Sequence, residues 1–90
     1  MKLKFFATYR DLTGCKEIDM AAPRDARALL EALGSRYGPA MREKLFTESG
    51  EISREAILLV NGRHFADLEG GKTPLSDEDT VSLFPMVAGG

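Results

Sequence analysis

The chain closes on Phe84-Pro85-Met86-Val87-Ala88-Gly89-Gly90, and the chemistry this tail offers is that of its terminal carboxylate. Two final glycines leave the group unshielded by any side chain. It can thread a narrow channel in another protein and approach a reactive phosphate closely. An α-carboxyl titrates at roughly pH 3.3–3.7, so at neutral pH it is an anion and a poor electrophile. Acyl chemistry at Gly90 therefore requires prior activation, for instance as an acyl-adenylate. The five residues after Pro85 reach roughly 17 Å when extended. The competing reading is an ordinary frayed end. Against it, no polar linker separates the tail from the apolar strand before it.

Other chemistry-bearing residues are sparse. There is one cysteine, Cys15, and one histidine, His64, far apart in the chain. Metal ligation is a poor fit to that pair, and a structural or surface role fits both better. Gly70-Gly71 lacks the spacing of a phosphate loop and opens no helix, so turn geometry is the better reading. The carboxylates fall mostly at turns and on a polar helix face. The expectation is no bound cofactor, no metal, and no catalysis by the chain acting alone.

Ninety residues suit one domain, and 43% hydrophobic with 29% charged residues is ordinary globular composition. A net charge of −2 with interspersed signs argues against a nucleic-acid partner, which favours a basic stripe. The start, MKLKFFATYRD, turns polar too soon for a signal peptide. No apolar run approaches the ~20 residues of a membrane span. A single cysteine excludes an internal disulfide and fits a reducing cytoplasm.

The elements that must position the tail can be read from periodicity. Residues 2–8 alternate as a strand, with Leu3, Phe5 and Ala7 on one face and Lys2, Lys4, Phe6 and Thr8 on the other. Asp11 to Gly14 is turn chemistry, and residues 15–20 form a second strand, completing a hairpin. Ala26, Leu29, Leu30, Leu33 and Tyr37 make one stripe on a helix over 25–37, capped by Asp25 and Gly38. Gly34 inside it predicts a fraying last turn. Pro39 opens a short helix through residue 46, followed by a loop at 47–55. Residues 56–60 are a strand, Asn61-Gly62 a type I′ turn, and 63–65 a short return strand. Residues 66–79 read as irregular and 80–84 as a final strand. The expected core is Leu3, Phe5, Ile18, Leu29, Leu30, Leu33, Leu58, Val60, Val81 and Leu83. The class is α+β: one mixed sheet of about five strands packed on one main helix.

If that helix covers the inner sheet face, Phe6, Leu59 and Phe84 point outward. Three large apolar residues on one outer face need a cover: a loop, a second copy, or a docked partner.

Four stretches, KLKFFATYRDLTG, ALLEALGSRYG, LLVNGRHF and TPLSDEDTVSLFPMVAGG, spread over nearly the whole chain, resemble the MoaD/ThiS family of small sulfur carrier proteins. Within it the chain is most similar to the small subunit of molybdopterin synthase. The resemblance implies a ubiquitin-like β-grasp domain over residues 1–85 and a flexible diglycine tail over 86–90. It also implies a mechanism. An adenylating enzyme similar to the ubiquitin activators converts Gly90 to an acyl-adenylate, and a sulfur donor enzyme then converts it to a thiocarboxylate. That group delivers sulfur in a larger catalytic subunit such as that of molybdopterin synthase. Gly89 and Gly90 would carry the chemistry. Phe6, Leu59, Phe84, Pro85, Met86, Val87 and Ala88 would meet the partners, and Cys15 would not bear the sulfur. The sequence departs from the family at Met86, where a small residue or proline is common, at Glu78, and in its longer 47–55 segment. The destination of the sulfur thus stays open between molybdenum or tungsten cofactor synthesis and cysteine, thiamine or tRNA thiolation. A ubiquitin-like modifier joined through Gly90 to lysines, and a non-activated binding module, are the readings from other classes.

Overall fold

The computed structural model describes residues 1–86. The elements run β1 (Lys2–Phe5), α1 (Thr8–Thr13), β2 (Glu17–Asp19), α2 (Ala26–Tyr37), α3 (Pro39–Leu45), β3 (Ile57–Val60), β4 (Arg63–His64) and β5 (Thr80–Phe84). The five strands form one mixed sheet in the order β2-β1-β5-β3-β4. The central pair, β1 and β5, is parallel, and every other pair is antiparallel. This is the arrangement expected of a β-grasp fold.

Alternation along each strand decides what the sheet buries. Leu3 lies opposite Ile18 on one side and Val81 on the other, and Val81 in turn opposite Val60. Phe5 lies opposite Leu83, which lies opposite Leu58. Leu3, Phe5, Leu58, Val81 and Leu83 are almost wholly buried, as are Leu29, Leu30 and Leu33 of α2. Ile18 packs on this core from the edge strand and is half-buried.

Local chemistry fixes the ends of the elements. Asp25 Oδ1 accepts from the Ala28 N–H at 2.9 Å, the side-chain cap that starts α2. Asn61 and Gly62 both have positive φ, 52° and 87°, as a type I′ turn between β3 and β4 requires.

The structure corrects several expectations. β1 stops at Phe5, and the expected turn at Asp11–Gly14 is the end of helix α1. A β-turn diverts the chain there: the Tyr9 N–H donates to the Phe6 carbonyl at 3.1 Å, with Ala7 at φ 52°, ψ −125°. The diversion buries Tyr9, whose hydroxyl donates to the Glu55 carbonyl at 2.7 Å. Burial, and secondarily the nearby Glu55 charge, raise the Tyr9 pKa well above its ordinary value. Gly34 does not fray its helix; it is buried where Arg42 of α3 crosses, so α2 continues to Tyr37. Segment 66–79 is not wholly irregular, because short 3-10 turns form at Phe65–Asp67 and Gly70–Lys72. β2 and β4 are shorter than 15–20 and 63–65. Met41, Leu45, Phe46, Ala56 and Phe65 join the core beyond the expected residues.

Candidate docking face and carboxyl terminus

The sheet face turned away from α2 carries the sequence-predicted residues. The Phe6 N–H donates to the Leu83 carbonyl at 3.2 Å, extending the β1–β5 register one residue beyond the strand. That bond places Phe6 beside Phe84, and the two rings stack with centroids 4.2 Å apart and planes 10° off parallel. Both side chains are half-buried. Leu59 lies one register step away, opposite Ser82, with His64 beyond it on β4. The structure thus brings Phe6, Phe84 and Leu59 onto one face.

Sequence reasoning missed Ile57. It sits opposite Phe84 and extends the apolar row from Phe6 through Phe84 onto β3. The signal was present: the alternation that turns Leu59 outward turns Ile57 outward as well. The row above it is polar apart from Leu59, running Glu17, Lys4, Ser82, Leu59, His64 across the sheet. Lys2 and Glu17 pair there at 3.8 Å, an exposed contact of little energetic weight.

β5 ends on this face at Phe84. Pro85 follows Phe84 directly, and Met86 is 44% exposed, the one large apolar side chain among the described residues that is exposed rather than buried or half-buried. Val87, Ala88, Gly89 and Gly90 lie outside the described residues, as does most of the expected flexible tail.

A second anchor holds the opposite end of β5. The Asn61 amide donates to Asp79 Oδ1 at 2.9 Å, and the Ser76 N–H donates to Oδ2 at 2.8 Å. Asn61 Oδ1 accepts from the Thr80 N–H at 2.9 Å. These bonds, the Asn61 amide first, hold the Asp79 pKa below the ordinary carboxylate range. Besides its place in the type I′ turn, Asn61 thus joins Asp79 in tying the β3–β4 turn to the start of β5.

The lone cysteine and the lone histidine lie toward opposite edges of the sheet. Cys15 precedes edge strand β2 and His64 sits on the opposite edge strand, β4. At about 4.8 Å per strand they stand about 19 Å apart across the sheet, too far for a nucleophile–base pair. Among the described residues, no three His, Cys, Asp or Glu side chains gather where they could hold a metal, and no helix is long and apolar enough to cross a membrane.

Comparison with known proteins agrees with this geometry. The ThiS family model matches residues 3–90. Small archaeal modifier protein 3 of Haloferax volcanii is 41% identical over 93 aligned residues, spanning 100% of this chain and 98% of the relative. The solution structure of small archaeal modifier protein 1 from Methanosarcina acetivorans superposes with a TM-score of 0.82 at 30% identity, covering 99% of this chain and 94% of that one. A Pyrococcus furiosus structure, proposed as subunit 1 of a molybdopterin converting factor, superposes with a TM-score of 0.74 at 29% identity, covering 96% and 95%. The chain shares the β-grasp fold of these proteins and, with the match running from the first strand to the last glycine, belongs to the ThiS family.

Proposed function

We propose that this chain is a sulfur carrier whose working atom set is the Gly90 carboxylate. The observation that carries the reading is the reach of the family match to residue 90, on a domain whose last strand leaves beside an apolar face. A carboxylate oxygen attacks the α-phosphate of ATP in a ubiquitin-activator-like enzyme, releasing pyrophosphate and forming the acyl-adenylate. The terminal sulfur of a donor persulfide displaces AMP, and a thiol then cleaves the acyl disulfide to leave the thiocarboxylate. The domain supplies no acid or base to these steps. It supplies position, since the Phe6–Phe84 face docks the domain and the tail carries the reacting group into the partner's preorganised site. The acceptor in this reading is a pterin precursor of molybdopterin in a larger catalytic subunit, supported by the likeness to the Pyrococcus furiosus protein.

One observation favours a second reading. The Haloferax volcanii relative is a modifier protein by name, and the same adenylate can pass its acyl group to a lysine amine. Both readings share activation at Gly90. Deleting Gly89-Gly90 is expected to abolish ATP-dependent adenylate formation with a cognate activating enzyme while leaving the unfolding midpoint unchanged. Adenylation of the truncated chain would overturn both.

A further inference from the structure

We propose that the groove beside Met86 is a second docking subsite, distinct from the Phe6–Phe84 stack. Its occupant is an apolar side chain flanked by a carboxylate, on an extended segment of the partner protein. The inference rests on the reading that this chain delivers its terminus to a partner, and it names the chemistry that partner must present.

The groove has a volume of about 470 Å³. Ala56 and Phe65 are buried at its base. Ile52, Ile57 and Met86 are its accessible apolar walls. Ile57 belongs at once to this groove and to the apolar row that begins at Phe6, so a partner covering the stacked rings continues into the groove without a break. Two core residues at its base and three half-exposed apolar walls fit an aliphatic side chain, the anchor-in-pocket arrangement that concentrates interface energy.

The rim fixes the charge of the occupant. The chain has 14 acidic residues against 12 Lys and Arg, yet none of the acids lines this groove; its charged and titratable members are Arg54 and His64. Glu55, next in sequence, pairs with Lys44 at 4.0 Å. Arg54 is exposed and makes no ion pair with any described residue. His64 Nδ1 accepts from the Ala66 N–H at 3.3 Å, which leaves Nε2 as the ring's donor. The rim therefore offers hydrogen-bond donors and no acceptor side chain stronger than Ser53. A carboxylate beside the apolar anchor is the group that satisfies it.

The test is a methyl NMR titration of the full chain with two synthetic peptides, acetyl-Asp-Leu-Asp-amide and acetyl-Lys-Leu-Lys-amide, at physiological salt. The acidic peptide is expected to move the Ile52, Ile57 and Met86 methyl signals saturably. The basic peptide should bind about fivefold more weakly, the scale of one exposed ion pair. Arg54→Glu, at an exposed position, should reverse that order. Equal binding of the two peptides, no movement of the groove methyls, or movement confined to the Phe6–Phe84 face would overturn the proposal. So would a requirement to delete residues 87–90 before the acidic peptide binds, since the chain's own tail would then be the occupant. Neither peptide needs activation at Gly90, so this result and the adenylation result stand or fall separately.

Discussion

Phe6 and Phe84 stack at 4.2 Å between ring centroids, although 77 intervening positions separate them in the chain. The contact exists because β1 and β5 run parallel as central neighbours. Phe84 is the last residue of β5, so in the proposed reading five residues, 85–89, join the stacked rings to the Gly90 carboxylate.

Replacing Phe84 or Phe6 with Asp is expected to weaken binding to the activating enzyme by about 2–4 kcal/mol, the scale of a buried aromatic anchor. Calorimetric titration measures it. Neither ring belongs to the core cluster, so far-ultraviolet dichroism should stay native in both variants. Unfolding of either variant would show that the stack is structural, and undiminished binding would remove the face from the interface.

Ala7 adopts φ 52°, ψ −125°, a region that a Cβ makes costly and that glycine enters freely. Its side chain is exposed, so the substitution Ala7→Gly loses no packing. Relief of strain, less the extra entropy of an unfolded glycine, should raise stability by about 1 kcal/mol. Urea unfolding checks this, with a lower midpoint as the contrary result. Partner binding should be unchanged, because the turn and hence Phe6 keep their places.

Much of the fold was legible because burial and periodicity agree. The α2 stripe, the alternation in β1, β3 and β5, and the Asn61-Gly62 turn each carry a local signature. Helix α1 was not legible. Only six residues long, it has no repeated apolar face, and its single buried residue, Tyr9, is held by a hydrogen bond to Glu55, 46 positions away. The 3-10 turn at Phe65 escaped for the same reason, and in α3 Met41 and Leu45 stand four residues apart, a single helical repeat too short to mark which face would be buried. The shared outer face of Phe6, Leu59 and Phe84 was legible by strand alternation alone, yet the groove at Met86 was not. It needs Ile52, Phe65 and Met86, from three separate segments, to meet in space.

Asp79 makes stability depend on pH at the acid end. Its folded-state pKa lies below the ordinary value because the Asn61 amide and the Ser76 N–H bind the ionised form. Its contribution is therefore complete above the unfolded value, about 3.9, and is lost as pH falls through the lower folded value. Asp79→Ala should lower the urea midpoint at neutral pH, and the gap from the parent should close below about pH 4. A gap that stays constant down to strong acid would show that the carboxylate charge does not hold this turn.

The most direct measurement is the intact mass of the chain after incubation with ATP, a cognate activating enzyme and a persulfide sulfur source. Replacing one carboxyl oxygen of Gly90 by sulfur adds about 16 Da, the mark of acyl activation followed by sulfur capture. The account predicts that increment on the C-terminal peptide, its absence when Gly89-Gly90 are deleted, and its loss when the acceptor substrate and catalytic subunit are supplied. An unchanged mass beside an enzyme shown to be active on its own carrier would contradict sulfur carriage, and heavier lysine-linked adducts in its place would assign the activated Gly90 to protein modification.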